Sequence, residues 1–177
     1  MGPAGAPERL LVPVDGSSDA LAAVRHVIAG HRRHPLMHLH VLNIQPRISR
    51  HAARFVGRRD CEGWLHDRAD RAMSAAVALL TDAVVPHETH RAIGARAEEI
   101  VRAAGELGVH RIVIGTGRAG SLARMLDDPV TRRVVATAGV PVEIVEGAAV
   151  PTWKRWGVPA GLIGLGGLGG WLLLAAD

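Results

Sequence analysis

The sequence predicts a doubly wound α/β fold, a five-stranded parallel sheet covered by helices on both faces, and three observations carry that prediction. Short runs of Val, Leu and Ile alternate with longer helix-spaced patterns in the order β-α-β-α-β-α-β-α-β over residues 8–146. Such alternation implies parallel strands buried on both faces and joined by right-handed crossovers. The first and fourth apolar runs end in Asp15-Gly16 and Gly115-Thr116-Gly117, turn-forming residues at strand carboxyl ends. Ligands of open parallel sheets sit beyond those ends, where the winding reverses. A 3-2-1-4-5 strand order makes the two turns neighbours. Finally, the chain has one Phe, four Trp and no Tyr among 177 residues, so its core must be aliphatic.

Each element has its own signal. Leu10 to Val14 is an apolar run closed by Asp15-Gly16-Ser17-Ser18, a turn that starts a helix, and Asp19 can stabilise the exposed N–H groups of its first turn. Leu21, Val24, Val27 and Ile28 follow at helical spacing up to Gly30. Leu36 to Ile44 reads as the second strand, Gln45 to Asp60 as an arginine-rich loop, and Glu62 to Val84 as a long helix. His87 to Ala92 is a weaker strand, and Glu98 to Leu107 is helical, stopping at Gly108. Arg111 to Thr116 is the strongest strand. Ser121 to Ala138 is helical with a break near Pro129, and Pro141 to Val145 is the fifth strand.

Composition narrows the function classes. Nearly half the residues are apolar and the formal charge is +4, too mild to argue for nucleic acid. Cys61 is the lone cysteine, which excludes an intrachain disulfide and a cysteine-based zinc site. A reducing, cytoplasmic setting for the main domain is the simplest expectation. Residues 1–7 read as a flexible N-terminus without the basic-then-apolar pattern of a secretory signal.

Leu11-Val12-Pro13-Val14-Asp15-Gly16-Ser17 resembles the opening strand and turn of the universal stress protein family. Ile112 to Thr116, Leu122 to Leu126, Val130 to Val135 and Val140-Pro141-Val142 resemble its closing half. The resemblance covers residues 8–146 and implies an adenine-nucleotide alpha-hydrolase-like sheet. Family members divide into those that bind ATP and those that do not. Binders resemble one another in a signature of Gly, two residues, Gly, nine residues, then Gly-Ser or Gly-Thr, in which glycine backbone closes on phosphates. Laid on this chain from Gly115, the signature puts Arg118 at the second glycine, and Asp128 and Pro129 at the closing pair. Asp127 and Asp128 would repel a triphosphate, and Pro129 has no N–H to offer. Gly117 could partly replace the missing glycine, and Arg118 could face a phosphate. Asp15, which the resemblance sets near the adenine and ribose, is retained. The implied candidate nucleotide site is Pro13, Asp15, Val41, Gly115, Gly117 and Arg118, with its phosphate grip altered.

Other signals compete. Gly115-Thr-Gly117-Arg-Ala-Gly120 matches G-x-G-x-x-G, but it falls in the second half of the sheet, and a tight glycine turn accounts for it. Among ten histidines, His38 and His40 alternate onto one strand face, and His31/His34 and His87/His90 form local pairs. Spacing alone names no third ligand beside them, so no metal site is expected. Arg47, Arg50, His51, Arg54, Arg58 and Arg59 form the densest positive cluster, a solvated surface or a contact for anionic lipid.

After a linker at 147–156, residues 157–176 are uncharged. As a helix they rise about 30 Å, the thickness of a bilayer's hydrocarbon core. Trp153, Trp156 and Trp171 suit the interfaces, Lys154 and Arg155 precede the run, and Gly157/Gly161 and Gly166/Gly170 give close-packing spacing. The expectation is one transmembrane helix in an inner membrane with the main domain cytoplasmic; the alternative is a cytoplasmic protein with a glycine-rich tail.

The sequence therefore describes a non-catalytic stress-response binding or signalling module with a degenerate ATP site and no catalytic residue. Two alternatives stand beside it: an ATP-binding nucleotide sensor with slow hydrolysis, and an accessory subunit of a membrane transporter or receptor. No cofactor is expected of the non-catalytic module, and ATP is expected of the nucleotide sensor. The partners expected are a second copy through the last strand (Val142, Ile144, Val145) and membrane lipid or protein through 157–176, with no nucleic acid.

Overall fold

Five strands form one parallel sheet in the order β3-β2-β1-β4-β5. The computed structural model describes residues 7–47, 58–117 and 128–147, of which 58–62 by backbone alone. The elements are β1 (Glu8–Pro13), α1 (Ser18–His31), β2 (Met37–Gln45), α2 (Arg58–Asp82), β3 (His87–Ile93), α3 (Arg96–Glu106), β4 (Arg111–Thr116), α4 (Pro129–Thr137) and β5 (Val142–Glu146). The predicted order is the observed one. β1 lies between β2 and β4, pairing Val12 with Val41 and Leu11 with Ile112. The turns after β1 and β4 are therefore neighbours, as the switch of winding direction requires.

Alternation along the strands divides the core into two layers. Leu10, Val12, Leu39, Val41 and Val113 face one way and pack on Ala20, Val24 and Val27 of α1 and on Ala69, Met73, Ala76 and Leu80 of α2. Leu11, Leu42, Ile44, Ile112 and Ile114 face the other way, onto Ala97, Ile100 and Ala104 of α3 and Val134 of α4. Leu10, Leu11, Leu39, Leu42 and Ile112 are fully buried, each contributing about 1.5–3 kcal/mol relative to exposure.

The helix ends follow local chemistry. Ser17 caps α1 by accepting from the Ala20 N–H at 3.2 Å. At the end of α3, Gly108 takes a positive φ of 57°, while its N–H reaches the Gly105 carbonyl and that of Val109 reaches Ala104. This is the left-handed closure that glycine favours. The end of α2 repeats the hydrogen-bond pattern, Val84 to Thr81 and Val85 to Leu80, but puts Val84 at φ 55°. The predicted helix over Ser121 to Ala138 begins, within the described residues, at Pro129. Pro129 is the first residue of α4, where its missing N–H costs nothing, and the extended Asp128 before it agrees with the expected break. α2 begins at Arg58, inside the expected loop.

β5 is an edge strand, and Val142, Ile144 and Val145 are half-buried. They do not share one face: Val142 packs on the α3/α4 layer and Val145 on the α1/α2 layer. Among the described residues no helix is long and apolar enough to cross a membrane. The predicted span at 157–176 lies outside the described residues, as do Arg50, His51, Arg54 and Arg118.

Candidate functional site

A cleft of about 680 Å³ opens at the carboxyl ends of β1, β2 and β4. It is built from the turns that the strands cannot continue into. After β1, Val14 stays tied to β2 through its N–H to the Leu42 carbonyl at 2.8 Å. Its own carbonyl accepts from the buried Asn43 side chain at 2.7 Å, and Asn43 in turn accepts from Gln45 at 2.6 Å. This pair of buried amides satisfies groups that would otherwise be stranded inside the sheet. The chain then turns at Gly16, φ 84°, where a Cβ would stand 3.4 Å from the Ala72 backbone of α2. Asp15 closes the turn by accepting from the Ser17 N–H at 3.0 Å.

The second wall is the end of β4, and here glycine is a packing requirement. A Cβ on Gly115 would fall on the Asp19 carbonyl oxygen at the start of α1. One on Gly117, or on Gly147 after β5, would fall on the Asp19 carboxylate. The first turn of α1 is seated directly on three glycines. Gly147 is fixed there by its N–H to the Thr116 carbonyl at 2.7 Å. The glycine turn therefore houses the α1 N-terminus and the Asp19 side chain.

The third wall is the start of α4. Asp128 caps the helix: one carboxylate oxygen accepts from the Thr131 N–H at 2.8 Å and from its hydroxyl at 2.7 Å. Pro129 follows as the first helical residue. α3 supplies Arg96, whose guanidinium lies 3.8 Å from the Asp15 carboxylate with both side chains about half exposed, a weak pair in water. Apolar surface from Leu42, Ile44, Ile100, Ile114 and Val130 completes the lining. The described wall thus combines an aliphatic cradle with three carboxylates, Asp15, Asp19 and Asp128, and one guanidinium.

Of the residues expected from sequence, Pro13, Asp15, Gly115, Gly117 and Asp128 come together on this cleft. Pro129 stands beside it at the helix start. Val41 does not line it; that side chain is fully buried in the α1/α2 layer, and Leu42, one residue on, faces the cleft instead. Arg118 lies outside the described residues. The sequence reading missed Arg96, Thr131 and the role of Asp19. Arg96 could have been found from its position, the first residue of a helix just after a strand's carboxyl end.

Comparison with known proteins agrees with this architecture. The model of the universal stress protein family matches residues 7–146. A universal stress protein from Archaeoglobus fulgidus is 22% identical over 79% of this chain and 94% of its own, with a TM-score of 0.59. A universal stress protein in complex with cAMP is 22% identical over 80% of this chain and 98% of its own, with a TM-score of 0.51. A family protein from Arabidopsis thaliana with AMP bound is 15% identical over 81% and 94% of the two chains, with a TM-score of 0.58. No curated protein matches the chain at a significant level. With the strand order, the paired turns and the family match in agreement, this chain belongs to the universal stress protein family.

Proposed function

We propose that this chain is a non-catalytic binding and signalling module of the stress-protein kind, with a nucleotide cleft altered at its phosphate end. The start of α4 carries the reading. Where an ATP-binding relative offers Gly-Ser, this chain has a carboxylate committed to capping and a proline without an N–H. A triphosphate needs convergent donors, and the described wall offers three carboxylates against Arg96. The aliphatic cradle at the other end still suits a base. It favours, as the second reading, a nucleotide carrying fewer phosphate charges. The relatives solved with AMP and with cAMP support that class of ligand.

Two further parts of the proposal concern location and assembly. The uncharged run at 157–176 supports a single-pass anchor that holds the domain at the cytoplasmic face of a membrane, beside lipid or a membrane protein. The edge position of β5 supports a homodimer. Deleting residues 153–177 should move the protein from the membrane to the soluble fraction; an unchanged distribution removes the anchor.

The test of the main reading is calorimetric titration of ATP, AMP and cAMP into the full chain and its Asp15→Ala variant. The expected result is little or no heat with ATP and weaker binding of any nucleotide after Asp15→Ala. Micromolar ATP binding, tighter than AMP and lost in Asp15→Ala, would overturn it in favour of an ATP sensor.

A further inference from the structure

Away from the cleft, in the amino-terminal halves of β2 and β3, the sheet gathers an unusual set of donors. β2 carries His38-x-His40 and β3 carries Glu88-x-His90, each pair on one face by the two-residue strand period. The parallel register sets His40 against Glu88 and so puts all four side chains on the same face. His40 Nδ1 lies 3.0 Å from His90 Nε2 and 3.8 Å from Glu88 Oε2. His90 Nε2 is 3.9 Å from that same oxygen, and His38 Nε2 is 3.2 Å from Glu88 Oε1. A tetrahedral ion with bonds of 2.0–2.1 Å needs donor atoms about 3.3 Å apart. These four separations run from 3.0 to 3.9 Å, and the ligand atoms of His38, His40 and Glu88 all lie within 4.8 Å of one another.

We infer that His38, His40 and Glu88, with His90 at the edge of the group, form a binding site for a divalent transition-metal ion of the zinc class. The donor set, two imidazoles and a carboxylate, is that of zinc and its neighbours and not of the all-oxygen magnesium or calcium sites. Three protein donors leave the fourth position to water or to His90, and they join β2 to the edge strand β3.

His40 is 6% exposed, and its Nδ1 faces His90 and Glu88, so an ion held there would be shielded from water. Arg9 beside the cluster opposes an added cation, and the Glu88 carboxylate offsets it.

The experiment uses the full chain without a histidine tag, stripped with EDTA and titrated with ZnCl2, the bound metal being counted by mass spectrometry. One zinc per chain is expected, with no competition from excess Mg²⁺. Glu88→Gln and His38→Ala, both at partly exposed positions, should each weaken binding at least about tenfold. His34→Ala, an exposed loop histidine, should leave it unchanged. Circular dichroism checks that the variants fold. Absence of a stoichiometric zinc, or zinc binding unaltered in both ligand variants, would overturn the site.

Discussion

The carboxyl and amino ends of the sheet are assembled by different means. At the carboxyl ends, consecutive residues in turns make the cleft: Asp15-Gly16-Ser17, Gly115-Thr116-Gly117 and Asp128-Pro129 each do local work, capping a helix or making room for one. At the amino ends of β2 and β3, the histidine cluster comes from strand register alone, with its two halves 50 residues apart. A site made by turns tolerates little change in its glycines. A site made by register tolerates loss of any one ligand as far as folding is concerned.

The largest effect should come from Gly115→Ala. The new Cβ would meet Asp19 backbone, which cannot swing aside as a flexible side chain could, so destabilisation of about 3 kcal/mol or more is expected in urea unfolding. A cost near zero would mean that the seat of α1 on β4 is looser than described. Asp128→Ala removes the α4 cap and should cost about 1 kcal/mol. The same change takes a carboxylate off the cleft, so nucleotide affinity should rise while stability falls. If both fell together, Asp128 would be a ligand contact rather than an obstacle.

Val84→Gly should act in the opposite direction, stabilising by about 1 kcal/mol, since a β-branched residue there holds a left-handed conformation that glycine takes freely. Val84 is exposed, so little packing is lost. The smallest change concerns pH. His40 in the folded chain has a pKa below its ordinary 6.5, so the unfolded chain binds more protons as pH falls through 6.5. That component of stability is present above 6.5 and declines on further acidification toward the lowered folded value. The groups facing His40 are His38, His90, Glu88 and Arg9. Urea midpoints at pH 7.5 and 6.0 should converge in His40→Gln relative to the parent chain; an identical pH dependence would contradict the assignment.

Much of the fold was legible because aliphatic strands and helix spacing are local signals, and the strand order followed from where the turns lay. Asp15, Gly115 and Gly117 were legible for the same reason: a turn at a strand end demands those residues. Val41 packs one step away from the cleft-facing Leu42, because a single step along a strand exchanges the two faces of the sheet and only packing against α1 and α2 reveals which is which. Asp19 was read as a helix-start residue, and its seat against Gly115, Gly117 and Gly147 depends on three separate segments meeting. The histidines were visible as His38-x-His40 and as a His87/His90 pair. Glu88 as their companion needed the β2–β3 register, which no spacing within either segment specifies. Val84 at the end of α2 carries no warning in sequence, since the closure normally announces itself with glycine.

The central claim is that the start of α4 has closed the phosphate end of a nucleotide cleft. Its most direct test is the ATP affinity of the double variant Asp128→Gly, Pro129→Ser beside the parent chain, by calorimetry on full-length protein. Glycine is acceptable at a helix cap and serine at the first helical position, so the fold should be kept. The account predicts that removing the carboxylate and restoring an N–H and a hydroxyl raises ATP affinity at least about tenfold, roughly one charge-assisted hydrogen bond. A double variant that is folded and binds ATP no better than the parent would contradict it.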